Sequence, residues 1–175
     1  MRLTHNGRAD QALAYIGWPT RDFFADMREA RVLTLLSDVY ELRLIQKIRE
    51  EQGTTYSPQA SHDASSTIPG YGLFSARIQA RPEALAGFLR DAQGIAADLA
   101  ARPIDADELR RALQPRLESI QRQRNLNAWW ANALAGIQTR PEVATSIESM
   151  LAAYSAITPA DLQAAAPSRG TITSL

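Results

Sequence analysis

Apolar positions recur along this chain with two different periods, and the change of period marks the elements. From Val32 onward Leu35, Leu36, Val39, Leu42, Ile45 and Ile48 fall at steps of three and four, which predicts a core-facing helix. Ser37 and Asp38 interrupt the stripe, so a break is expected there, and Gly53 is well placed to end the helix in a left-handed conformation. Upstream, Gln11 to Trp18 is rich in aromatic and β-branched residues and is stopped by Pro19, the pattern of a buried strand. The helix should start after a turn at Thr20 to Asp22. Downstream, Thr54–Ser61 and Tyr71–Ala80 read as a hairpin joined by a loop through Ser65, Ser66, Pro69 and Gly70. Tyr71, Leu73, Ser75, Arg77 and Gln79 alternate with Gly72, Phe74, Ala76, Ile78 and Ala80, the period of a pleated strand. Pro58 cannot donate to a ladder, so the first hairpin strand should lie at an edge or carry a bulge.

Beyond Pro82 the helical period takes over. Leu85, Phe88, Leu89, Ala92, Ile95, Ala96 and Leu99 form one stripe. Asp105 to Glu108 has the spacing of a capping box ahead of Leu109, Leu113, Leu117 and Ile120, with Pro115 as a point of bending. Further helical segments follow around Trp129–Ile137 and Val143–Tyr154, Thr158 to Asp161 caps a short last helix, and Gly170–Leu175 has the composition of a returning strand. Strand, helix, hairpin, then several helices define an α+β domain, an antiparallel or mixed sheet with helices packed mainly on one face. Residues 1–175 read as one domain, without an internal linker or repeat.

Composition narrows the function classes. The 19 basic and 19 acidic side chains cancel, which removes any long-range attraction to nucleic acid. With no cysteine there is no disulfide framework, thiolate metal site or thiol nucleophile. No apolar run reaches the roughly 20 residues of a membrane span. His5 and His62 belong to no zinc-ligand spacing, and neither a phosphate-binding glycine loop nor a G-x-S-x-G elbow is present. Metal and cofactor binding by this chain are therefore not expected. Asp105, Asp107 and Glu108 are explained as a helix start. Arg110, Arg111, Arg116, Arg122 and Arg124 read as a solvated helix face, and of Trp129 and Trp130 one is expected in the core and the other at an interface.

The junction Arg49-Glu50-Glu51-Gln52-Gly53-Thr54-Thr55-Tyr56 carries the remaining chemistry. Two accounts fit the residues alone. Arg49 can satisfy carbonyls at a helix end while Tyr56 half-buries at a strand start. Alternatively, guanidinium and phenol, both donors at neutral pH, converge on a carbonyl oxygen or a developing oxyanion.

The segment Leu44 to Ser57 resembles the L-x-x-x-I-R-E-x-x-G-x-x-Y-S junction in carboxy-terminal domains of the pitrilysin/insulinase family of zinc metallopeptidases. Gln11 to Pro19, Gly70 to Phe74 and Asp105 to Leu109 are similar to that family's neighbouring strand, returning hairpin strand and following helix start, and the closest similarity is to large bacterial zinc proteases. The resemblance implies a noncatalytic carboxy-terminal domain, truncated at its start and part of a longer chain. Its zinc would lie in amino-terminal domains of the same polypeptide, on an inverted H-x-x-E-H helix. Arg49 and Tyr56 match the family's substrate-contacting pair in spacing and context. The implied partners are those zinc-bearing domains and a peptide, in a bacterial and periplasmic setting; exposed inter-domain surfaces would favour self-association of the fragment. An inactive scaffold or protein-interaction module of the same fold is the alternative.

Overall fold

In the computed structural model residues 10–52, 57–167 and 171–174 are described, with the backbone alone at 49–52 and 171–174. The described strands are β1 (Ala12–Thr20), β2 (Gln59–Ala64), β3 (Gly72–Ala80) and β4 (Thr171–Ser174). They pair antiparallel throughout in the order β2-β3-β1-β4. Because side chains alternate across a pleat, one register puts Ala14 opposite Ile78, Ile16 opposite Ala76, Trp18 opposite Phe74, and Phe74 opposite His62, all on one buried face. Pro19 does not end β1 as expected: it pairs with Leu73, and β4 reaches only Ala14–Gly17. Among the described residues Pro19 has a strand neighbour on the β3 side only, and a missing N–H is tolerated where a strand is unpaired. The paired part of the other hairpin strand begins at Gln59, just after Pro58, and β2 is an edge strand.

The described helices are α1 (Met27–Gln52), α2 (Leu85–Ala101), α3 (Ala106–Gln123), α4 (Asn127–Ala133), α5 (Glu142–Ser155) and α6 (Pro159–Ala165), with one 3₁₀ turn at Pro82–Ala84 before α2. Asp26 starts α1 by accepting from the Glu29 amide at 2.9 Å, and Asp105 caps α3 by accepting from the Glu108 amide at 2.8 Å. Thr158 and Asp161 form a full capping box at α6. Pro115 lies inside α3, which continues through it.

Helix α1 is the hub. It lies against β2 and β3 and touches α2, α3, α5 and α6, while α2 covers β1 and β3 from the same side. Its inner face is Val32, Leu33, Leu35, Leu36, Val39, Tyr40, Leu44 and Ile48, all buried. Leu42, read as part of that stripe, is 44% exposed instead, because Tyr40 and Leu44 take the inward positions. The expected break at Ser37 and Asp38 is absent. Ser37 Oγ donates to the Thr34 carbonyl at 2.7 Å, and Asp38 is engaged by the Arg116 fork at 2.5 Å on each oxygen, so both polar groups are satisfied without opening the helix.

At the centre of the core Trp18, Tyr40 and Phe74 meet edge to face, with centroids 5.5–6.0 Å apart. Tyr40 is fully buried and its hydroxyl donates to the Ala92 carbonyl at 2.5 Å, joining α1 to α2. Burial pushes that phenol's pKa well up, so it stays a donor.

Candidate functional site

Arg49 sits in the last turn of α1, as its position in the sequence predicts; its side chain and the whole of Tyr56 lie outside the described residues, as does Gly53. What is described is the frame that carries them. On the helix limb Leu44 and Ile48 are buried at 0% and 1% exposure, so the turn preceding Arg49 is packed into the core. On the strand limb Pro58, two residues beyond Tyr56, is fully buried. Between the limbs, Glu41 of α1 accepts from the backbone N–H of Ala60 in β2 at 2.8 Å.

A second tie joins the same elements further along. His62 of β2 is 9% exposed and lies between Thr20 at the end of β1 and Thr34 on α1. Its Nε2 is 3.1 Å from Thr20 Oγ1 and its Nδ1 is 3.2 Å from Thr34 Oγ1. The Thr34 hydroxyl donates to the Ala30 carbonyl at 2.8 Å, so it is left to accept from Nδ1–H; the neutral ring then accepts at Nε2 from Thr20. Burial lowers the His62 pKa below the ordinary histidine value. The unfolded chain therefore binds the proton more readily than the folded one. The stability this contributes is present above the unfolded pKa of about 6.5 and is lost as pH falls below it. Thermal melts between pH 7.5 and 5.5 should show a falling midpoint that His62→Asn flattens. An unchanged slope in that variant would remove His62 from the account. Carboxylates held low by hydrogen bonds, among them Asp22 (chiefly by the Gly70 amide) and Asp161 (chiefly by the Thr158 amide), act only at more acid pH.

The charged residues of α3 divide into two groups. Arg110, Arg111 and Arg122 are 60–70% exposed and pair within the helix with Asp107 and Glu118. Arg116 does not belong to the solvated face expected of it: it clasps Asp38 of α1 and lies over the Tyr154 ring at 5.9 Å. Glu108, expected only as part of a helix start, also reaches α1, where Arg43 Nε and Nη2 donate to its two oxygens at 2.6 and 2.8 Å while Nη1 donates to Asp98 at 2.7 Å. These side chains fix α3 and α2 on α1.

Trp129 and Trp130 also depart from expectation. Both are half-buried, packed edge to face at 4.8 Å, and Trp130 Nε1 donates to the Arg124 carbonyl at 2.7 Å. Helix α4 has only seven residues and buries none of them, and Leu126 and Leu134 flanking it are 57% and 40% exposed. Among the described residues no three His, Asp or Glu side chains converge to hold a metal ion. His62 has both ring nitrogens engaged by threonines, so the described residues do not fit a zinc centre. No described helix is long and apolar enough to cross a membrane.

The described residues form a four-stranded antiparallel sheet with α1 and α2 packed against it, an α+β domain. Residues 1–115 match the peptidase M16 inactive domain, and the chain belongs to that family. The fold agrees with solved structures at low identity. An inactive peptidase domain from Bordetella parapertussis superposes with a TM-score of 0.79 at 15% identity, covering 99% of this chain and 96% of that one. The periplasmic protease PqqL from Escherichia coli gives 0.71 at 15% identity over 94% of this chain, and a conserved protein from Enterococcus faecalis V583 gives 0.74 at 14% over 93%. This chain spans 18% of PqqL and 37% of the Enterococcus protein. No curated protein matches the sequence significantly.

Proposed function

We propose that this chain is the substrate-contacting, noncatalytic domain of a zinc metalloendopeptidase, and that Arg49 and Tyr56 are the residues that meet the peptide. The observation that carries the reading is the junction itself. Helix α1 ends at Gln52 and the edge strand β2 begins at Gln59, so in sequence Arg49 stands three residues before the helix end and Tyr56 three residues before the strand, inside the segment that matches the inactive peptidase domain. The Tyr56 hydroxyl donates to the scissile carbonyl oxygen as it gains charge, and the Arg49 guanidinium holds a neighbouring carbonyl or adds positive potential over the same oxygen. The zinc belongs to another domain, which supplies the attacking water. Likeness to a periplasmic protease favours a bacterial periplasmic setting.

The test is peptide hydrolysis by this chain, with and without the zinc-bearing domain. Activity is expected only in the mixture, and Arg49→Ala and Tyr56→Phe should each lower it about tenfold or more with unchanged circular dichroism. A mixture indifferent to both substitutions makes the chain a scaffold. Hydrolysis by this chain alone would overturn the reading outright.

A further inference from the structure

We propose that the cleft where the β2–β3 loop meets the start of α5 binds a small zwitterion, an α-amino acid, through Arg140 and Glu142. The cleft measures about 280 Å³, and Asp22, Phe24, Ile68, Arg140 and Glu142 are among its walls. Small-molecule sites run from ~300 to ~1,000 Å³, so this one suits a small ligand. Neither Arg49 nor Tyr56 takes part, and the inference stands or falls separately from the functional reading above.

The walls are fixed by bonds that leave two opposite charges over. Asp22 fastens the loop: its Oδ2 accepts from the Gly70 amide at 2.7 Å, and its Oδ1 accepts from the amides of Phe24 and Ala25 at 3.1 and 3.0 Å. Gly70 has a φ of +72°, a conformation that favours glycine, at the point where its amide turns to Asp22. Ser65 pins the loop from within, its Oγ accepting from the amides of Thr67 and Ile68 at 3.1 and 2.7 Å. From the other side Arg140 Nη1 donates to the Ser66 carbonyl, and the guanidinium lies over the Phe24 ring at 4.7 Å. That contact fixes the guanidinium plane while engaging one of its five N–H donors. Among the described residues neither Arg140 nor Glu142 forms an ion pair, with the other or with any third side chain.

This set of charges chooses among ligands. A planar guanidinium fork matches a carboxylate, but the carboxylates of Asp22 and Glu142 in the same walls repel a simple anion such as phosphate. A simple amine meets the reverse difficulty, since Glu142 attracts it and Arg140 repels it. A molecule that carries both groups a few atoms apart satisfies both residues at once. Asp22 already accepts from three amides, which leaves Glu142 as the partner for an ammonium. Phe24, Ala25 and Ile68 offer apolar surface to the ligand's side chain, and Ile68 is 58% exposed without it.

The experiment follows backbone amide NMR shifts of the full chain as L-leucine, leucine amide (no carboxylate) or N-acetyl-leucine (no ammonium) is added. Leucine should give saturable shifts at residues 65–70 and 140–142 and bind about fivefold or more tighter than either analogue. Glu142→Gln should bring leucine down to the affinity of N-acetyl-leucine while leaving that analogue's affinity unchanged, and Arg140→Gln should remove leucine's advantage over leucine amide. Glu142 forms no ion pair, so Glu142→Gln should melt within about 2 °C of the parent, and its result stands even if Arg140→Gln loosens the loop. No saturable shift with leucine overturns the inference, as does equal affinity for all three compounds. Unchanged leucine binding in Glu142→Gln also overturns it. Inorganic phosphate binding as tightly as leucine would make the cleft an anion site and overturn the zwitterion assignment.

Discussion

Phe74→Ala is expected to destabilise the domain by about 3–5 kcal/mol, the range for removing a large aromatic side chain from a closed core. Phe74 is fully buried, and three rings lean on it: Trp18 at 5.7 Å, Tyr40 at 5.5 Å and His62 at 6.5 Å. Those rings come from β1, α1 and β2, so the cavity would open where three elements meet and cannot be closed by moving one of them. Tyr40 is held further by its hydroxyl on Ala92, which limits its drift into the space. Phe74→Leu keeps most of the volume and should cost about 1–2 kcal/mol. Urea titrations should resolve the two as successive falls in midpoint with a constant slope. A loss below about 1.5 kcal/mol for Phe74→Ala would mean that the core is not centred on this ring. The expected loss is a large part of a total stability of about 5–15 kcal/mol, so the variant should also unfold at markedly lower temperature.

The sequence exposes elements whose cause is local and hides those whose cause is remote. The stripe over Leu85–Leu99 and the alternation through Phe74, Ala76 and Ile78 declare α2 and β3, because each signal is complete within one element. The cap at Thr158 is equally legible, its partner Asp161 being one turn away. Asp38 misleads, since its partner Arg116 is 78 positions later and nothing near it in sequence shows that a buried-side carboxylate will be satisfied. Arg43 is of the same kind, with Glu108 65 positions away. The candidate site divides likewise. The proposed role of Arg49 and Tyr56 rests on one sequence motif, whereas the bonds of Glu41 to Ala60 and of His62 to Thr20 and Thr34 form only when β2 folds back along α1. Trp129 and Trp130 fail for a different reason: the spacing of apolar residues in α4 demands a cover that no described element supplies.

The same substitution, glycine to alanine, should have opposite signs at two positions. At Gly72 a new Cβ would stand 2.2 Å from the Arg21 carbonyl oxygen, 2.4 Å from Thr20 Oγ1 and 3.0 Å from the Arg21 carbonyl carbon. The first and third are backbone atoms, so the clash cannot be relieved by turning a side chain. Gly72 pairs with Thr20 on one side and Ala64 on the other, at the corner where β1, β2 and β3 end together. Moving Thr20 also disturbs its hydroxyl at His62 Nε2, which adds a lost buried hydrogen bond to the overpacking. Together these should cost about 3 kcal/mol or more, roughly 6–12 °C in melting midpoint for a chain of this size. At Gly94, on the exposed side of α2, a Cβ meets nothing within 4 Å. Gly94→Ala should therefore stabilise by about 0.5–1 kcal/mol, because alanine loses less backbone entropy on entering a helix. Paired melts of the two variants make the comparison self-controlled. A Gly72→Ala midpoint within about 2 °C of the parent would show that the corner is looser than its contacts imply, and would weaken the case that Thr20 holds His62 in place.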